Sequence, residues 1–205
     1  ECEPYLMCDD ALMCTYPVRI AEGLELMMKA AGIAHAVVAM EDNKPEAASV
    51  MRQALQDRND ISLKILKTKY PQGGEKQLVE AVTGRRIGSG QLPLSVGAVV
   101  NNVAFAVWQA VVTGQPLIER VITVSGDIPL SQRKNYIVAI GTPLSELPFT
   151  MNQEAVAIVG GPMMGRSAVR LDAPVTKGTS GLTVLSRNSR RSPVACIRCG
   201  ACVDA

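Results

Sequence analysis

The sequence predicts an α/β domain built on a parallel sheet, followed by a small β-rich domain of α+β type. Two observations carry this reading. Residues 36–40 and 61–66 read as strands with a helix between them, and strand, helix, strand within about 30 residues is the pattern of a βαβ unit. After Pro116 the pattern changes to short strands around one short helical start, divided by glycine and proline turns. With 205 residues, 47% hydrophobic and 20% charged, the chain can bury one large core or two small ones.

Taken in order, residues 1–16 read as irregular. Val18, Ala21, Leu24, Met28 and Ala31 recur at helical spacing, so 18–31 reads as a helix ended by Gly32. The all-apolar run 36–40 suits a strand buried on both faces. Asn43 is the expected cap of a helix running to about Leu55, with Pro45 just inside it. Residues 61–66 alternate as a strand does. Tyr70-Pro71-Gln72-Gly73-Gly74-Glu75 separates that strand from a helix over 76–82, and 84–97 is a loop. Residues 98–112 read as one apolar helix that includes Asn101 and Asn102. Beyond Pro116, strands are expected at 120–124, 136–140, 155–159 and 182–185. A short helix is expected after a Thr142 cap with Pro143 at its first position. Residues 187–193 read as a solvated linker.

Composition narrows the function classes. Lysine plus arginine number 21 against 19 acids, a formal charge of +2, too balanced for a protein that tracks a nucleic-acid backbone. Aromatics are 3%, too few for base-stacking platforms. No apolar run nears the roughly 20 residues that span a bilayer. The acidic opening lacks the basic and apolar regions of a signal peptide.

Four clusters could carry chemistry. Cys196-Ile197-Arg198-Cys199-Gly200-Ala201-Cys202 has the C-x₂-C-x₂-C spacing that wraps thiolates around an iron–sulfur cluster; zinc and unliganded thiols are the alternatives. In Glu1-Cys2-Glu3-Pro4, two carboxylates on one side of an extended segment could hydrogen-bond a cofactor, or form a solvated acidic start. The segment from Tyr70 through Gly73 to Glu75 sits where open α/β sheets bind ligands, and is otherwise a plain turn. Val100-Asn101-Asn102 offers amide donors to a ligand, or caps. Single features read as structural: His35 beside a strand, Met27-Met28 and Met163-Met164 as core filler, and Cys2, Cys8 and Cys14 as small buried apolar groups.

As an ordered set these segments resemble the RnfC family of Rnf electron-transport complexes, relatives of the flavin- and NADH-binding subunit of respiratory complex I. The matching blocks are Glu1-Cys2-Glu3-Pro4-Tyr5-Leu6 with Asp9-Asp10-Ala11-Leu12-Met13, Glu41-Asp42-Asn43-Lys44-Pro45, and the run from Lys69 to Leu78. Gly160-Gly161-Pro162-Met163-Met164-Gly165 and the final cysteine run complete them, so the resemblance covers essentially the whole chain. It implies a complex-I-like flavin/NADH-binding parallel-sheet domain at 1–115 that lacks its N-terminal part. A small β-grasp (SLBB, α+β) domain at 116–166 would follow, then a returning segment and linker at 167–194. Residues 195–205 would begin a ferredoxin-type 4Fe-4S domain.

The resemblance places flavin and NADH contacts on Glu1 and Glu3. It places flavin-ring contacts on Tyr70, Gly73 and Glu75, and flavin-phosphate contacts on Val100, Asn101 and Asn102. Cluster ligation falls on Cys196, Cys199 and Cys202. The implied cofactors are FMN, NAD(H) and a 4Fe-4S cluster, in a subunit that passes electrons between NADH and iron–sulfur clusters. Ion transport would belong to other subunits of a membrane complex, and this chain would sit peripherally on its cytoplasmic side. The family's glycine-rich phosphate loop, upstream of the E-C-E-P segment, is absent from these residues. On their own they are therefore expected to bind FMN weakly and to be inactive. A cobalamin reductase of the propanediol-utilisation type, or a non-catalytic β-grasp scaffold, are the rival readings.

Overall fold

The computed structural model describes residues 3–103, 105–186 and 198. Glu1, Cys2, Cys196, Cys199, Cys202 and the 187–193 linker lie outside them.

The first unit is helical with a small parallel sheet. Helix α1 spans Cys8–Thr15 and corrects the irregular reading of residues 1–16. Asp9 and Asp10 occupy its first turn, where carboxylates favour the helix dipole, and Cys8 is its one buried residue. It is one turn shorter than most helices, and its packing against α3 and β3 holds it. Helix α2 spans Pro17–Ala31. Gly32 ends it at φ 65°, a left-handed cap that glycine adopts without penalty. Strands β1 (Ala36–Glu41) and β2 (Ile61–Leu66) pair in parallel, Ala36 opposite Ile61 through Glu41 opposite Leu66. Helix α3 (Pro45–Ala54) is the crossover between them. Its N-cap is Lys44 rather than the expected Asn43, and no side chain caps it.

Ile20, Ala21 and Met28 of α2, Ala47, Ala48 and Met51 of α3, and Met40 and Ile61 of the strands form the core of this unit. Only one face of the β1–β2 pair is well covered, since Val37 is 42% exposed, so the expectation of a strand buried on both faces fails. Two strands offer too little sheet to bury both sides. Helix α4 (Glu75–Thr83) begins after Gly74 and ends at Gly84. Helix α5 covers only Phe105–Thr113, not 98–112, and Val100, Asn101 and Asn102 lie in the irregular approach to it.

The second unit is a five-stranded mixed sheet in the order β4-β3-β7-β5-β6. Its strands are β3 (Glu119–Gly126), β4 (Lys134–Ala139), β5 (Val156–Val159), β6 (Arg166–Ser167) and β7 (Gly181–Leu185). Strands β3 and β7 run parallel and the other pairs antiparallel. Strand β7, the last described, therefore takes the centre. Ile122, Val124, Val138, Leu144, Val175, Leu182 and Val184 form its core. Gly126, at φ 102°, is where the β3 backbone meets β7: a Cβ there would lie 2.0 Å from the Val184 carbonyl oxygen. The short helix after Thr142 is a 3-10 turn, Leu144–Glu146, whose cap position is Pro143.

Among the single-residue expectations, that of Met163 and Met164 as core filler changes. His35 is exposed. Met163 and Met164 are surface residues, 49% and 75% exposed, while Met28 is core. Cys8 is buried and Cys14 partly so, as small apolar groups would be.

Candidate functional site

The two units meet through residues 5–7. The Met7 N–H donates to Thr123 Oγ1 at 2.9 Å, and the Ser125 hydroxyl donates to the Tyr5 carbonyl at 2.8 Å. Thr123 in turn donates to Asn135 Oδ1 at 2.8 Å, and it is 2% exposed. Leu6, 6% exposed, packs so closely on Gly181 that a Cβ there would lie 2.6 Å from its Cδ2. Between these bonds Tyr5 holds φ 70°. A left-handed tyrosine costs about 1–2 kcal/mol and persists only where its surroundings over-determine it. Its ring stays 47% exposed.

A cleft of about 610 Å³ opens at this junction, within the size range of small-ligand sites. One wall is the carboxyl edge of β1 and β2, with Glu41, Lys44, Thr68, Lys69 and Tyr70. Another is Glu3 to Met7, and the third is β3 with Arg133 and Lys134 at the start of β4. Ligands of parallel sheets bind at this edge because the strand-to-helix loops there leave backbone groups unpaired. Asp42 ties the two strand ends together, accepting from the Thr68 N–H at 3.0 Å and the Thr68 hydroxyl at 2.5 Å. Those hydrogen bonds, from the hydroxyl first, hold the Asp42 carboxyl below the usual carboxylate range.

Glu3 and Tyr70, far apart in sequence, both line this cleft. Glu3 is not on an extended segment, because residues 3–5 turn. Its two carboxylate oxygens accept from the Met163 and Met164 N–H groups, so it anchors the 160–165 loop. Gly161 permits this approach, since a Cβ there would lie 2.3 Å from Glu3 Oε2. Gly73 and Glu75 stand just before and at the start of α4, exposed and outside the cleft lining.

Val100, Asn101 and Asn102 are also outside it. Asn102 stands near Asp9 of α1 instead. Burial pushes the Asp9 carboxyl up, and the Asn102 amide together with the charge of Arg120 opposes the rise. Glu1, Cys196, Cys199 and Cys202 lie outside the described residues. Among the described residues no cluster of histidine, cysteine and carboxylates could hold a metal, and no helix is long and apolar enough to cross a membrane.

The cations of the cleft escaped sequence reasoning. Lys44 belongs to the E-D-N-K-P block and Lys69 directly precedes the tyrosine segment, so both were within motifs. Arg133 and Lys134 carried no motif at all.

The family described as the Nuo51 FMN-binding domain matches residues 1–109. The chain is 42% identical over its full length to the C component of an ion-translocating oxidoreductase complex from Pasteurella multocida, of which it covers 26%. It is 41% identical to a protein of the same description from Haemophilus influenzae, of which it covers 33%. The chain thus spans between a quarter and a third of these curated relatives. Among solved structures it is similar to a chain of an NAD+-reducing [NiFe]-hydrogenase in the air-oxidized state, with TM-score 0.73 and 21% identity, covering 91% of this chain and 39% of that one. The H2-reduced state of such an enzyme gives TM-score 0.68 at 20% identity, covering 90% and 39%. At that identity the likeness concerns the fold alone.

Proposed function

This chain belongs to the Nuo51 FMN-binding domain family, and from that premise we propose that it forms the nucleotide-facing part of an electron-transfer subunit that uses FMN and NADH. The observation that carries the reading is the joint placement of Glu3 and Tyr70 in one cleft at the carboxyl edge of the parallel sheet. The residues present suit a flavin nucleotide. Tyr70, 44% exposed, offers a ring face, and Thr68, Lys44 and Lys69 offer polar and cationic groups around it. Bound FMN would supply the ability to take a hydride as an electron pair and release electrons singly.

This chain's residues would bind and orient. Tyr70 stacks, Lys44 and Lys69 hold negative charge, and the Met7 N–H bond to Thr123 and the Ser125 hydroxyl bond to Tyr5 keep the 5–7 wall still. Glu3 acts through the 160–165 loop as well as through any ligand contact, which makes it a positioning residue. Glu1, Gly73, Glu75, Val100, Asn101 and Asn102 complete the proposed nucleotide contacts by their match to the family's motifs. Cys196, Cys199 and Cys202 are the proposed ligands of a 4Fe-4S cluster, on their spacing.

The relatives' shared description supports a place for the whole protein in an ion-translocating complex, with NADH oxidised or formed here and ions moved by other subunits. Attachment to the membrane, on its cytoplasmic side, would run through those subunits. The parallel β3–β7 pair inside a mixed sheet supports the β-grasp reading of the second unit.

The test is NADH-dependent reduction of an artificial acceptor by the full-length protein. Tyr70→Ala is expected to lower turnover at least about ten-fold, the scale of a lost positioning contact. Glu3→Gln, which keeps an acceptor for one amide, is expected to lower it less. Unchanged turnover in both variants would overturn the reading.

A further inference from the structure

The second unit supplies a wall of the cleft, and that wall is cationic. Arg133 and Lys134 line it together with Lys44 and Lys69. Against these four cations the lining holds two carboxylates, Glu3 and Glu41, a formal excess of +2. Glu3 is already committed to two backbone N–H groups. Lys44 lies 3.7 Å from Asp10. Lys69, Arg133 and Lys134 make no ion pair with another described residue. The chain as a whole carries only +2 over 205 residues, so such an excess around one recess is a local concentration of charge.

The recess is also held in place. Arg133 is oriented by its Nε donating to the Ile128 carbonyl at 3.0 Å, which leaves its terminal nitrogens for another partner. Lys134 opens β4, paired opposite Val124 of the buried sheet core. Thr123 and Ser125 beneath them are spent on the junction. Cations lining a nucleotide-sized recess, one of them oriented by a hydrogen bond, suit phosphate oxygens.

We propose that Arg133 and Lys134, with Lys44 and Lys69 of the same cleft, bind the phosphate portion of a ligand seated between the two units. The second unit is then part of the binding site and contributes its charge specificity. This rests on the nucleotide reading above. The phosphate could be the diphosphate of NADH or the monophosphate of FMN, and the chemistry of recognition is the same.

The experiment measures binding to the full-length protein by titration calorimetry, with ADP-ribose, FMN, riboflavin and inorganic pyrophosphate as probes. The variants are Lys134→Gln, whose side chain makes no hydrogen bond with another described residue, and Arg133→Gln/Lys134→Gln. Arg52→Gln/Lys177→Gln, two cations that do not line the cleft, is the charge-matched control. The double variant is expected to weaken a phosphate-bearing probe about ten-fold, the scale of two partly exposed charge contacts. Lys134→Gln should give an intermediate loss and the control none. The dependence of affinity on salt should flatten in step.

Loss of ADP-ribose with FMN unchanged assigns the site to the dinucleotide. Loss of FMN with riboflavin unchanged assigns it to the flavin. ADP-ribose, FMN and pyrophosphate affinities all unchanged in both variants overturn the proposal, while NADH and FMN binding by the wild type would leave the nucleotide reading standing. Pyrophosphate binding that needs Arg133 and Lys134, in a protein that takes neither nucleotide, would do the reverse.

Discussion

Asp42 and Asp9 carry the same chemical group, and their surroundings push it in opposite directions. Asp42 is exposed and accepts two hydrogen bonds from Thr68, which favour its ionised form. Asp9 is desolvated, which favours its neutral form. For Asp42 the folded carboxyl binds its proton less tightly than the unfolded one. Its contribution to stability is thus present above the ordinary carboxylate range and lost as pH falls through its lowered folded value. For Asp9 the sign reverses, and stability falls as pH rises from the ordinary value to the raised one. Thr68→Val removes the hydroxyl donor to Asp42 and keeps the backbone donor. The Asp42 carboxyl is expected to titrate higher in that variant, between its present value and the ordinary one, in an NMR pH titration of its side-chain carbon. An unmoved titration would mean that the Thr68 hydroxyl does not hold the strand ends together.

At the scale of elements, the two sheets differ in how much they depend on their neighbours. A two-stranded parallel pair has no independent stability, so β1 and β2 rely on α2 and α3. Met51 of α3 is fully buried at the centre of that contact. Leu182 of β7 is fully buried between β3 and β5. Each truncation, Met51→Ala or Leu182→Ala, is expected to cost about 2–5 kcal/mol in urea unfolding. The two should differ in reach. Loss at Met51 should free the β1–β2 amides to hydrogen exchange before those of β3 and β7, and Leu182→Ala should do the opposite. Simultaneous exposure of both sheets in either variant would mean that they unfold as one unit.

Element boundaries also show where local pattern was enough. Helix α2 was legible because its apolar spacing, Pro17 and Gly32 agree. Helix α1 was not, since eight residues between prolines carry little periodicity, and its packing against α2, α3 and β3 supports the helical form. The approach to α5 was misread for the converse reason. The run from 98 to 112 is apolar enough for a helix, yet the Asn102 side-chain carbonyl accepts from the Val103 N–H, a local bond that competes with helical pairing, and α5 spans only Phe105–Thr113.

Across the whole molecule, the cleft depends on the junction at residues 5–7. Thr123 accepts the Met7 N–H and is nearly fully buried, so Thr123→Val leaves that N–H without a partner, at about 1–3 kcal/mol. The Met7 amide is expected to exchange with deuterium at least about ten-fold faster in the variant, while amides of the α2–α3 core keep their rates. Equal exchange at Met7 would show that the junction is held by Leu6 packing rather than by this bond. A loosened junction should also weaken any ligand that touches both units, which links this variant to the phosphate probes.

The sequence by itself determined the order of most elements and the family, and it singled out Glu3 and Tyr70 as candidates. Those rest on periodicity, capping residues and short ordered blocks, all of which are local. Only the tertiary structure decided that Glu3 anchors the 160–165 loop, that Asn102 stands near Asp9, that Met163 and Met164 face solvent, and that Arg133 and Lys134 close the cleft. Each of these contacts joins residues far apart along the chain or depends on which face a neighbour covers. Local spacing holds no record of such a contact. It arises when residues 5–7 dock on β3 and carry one unit against the other.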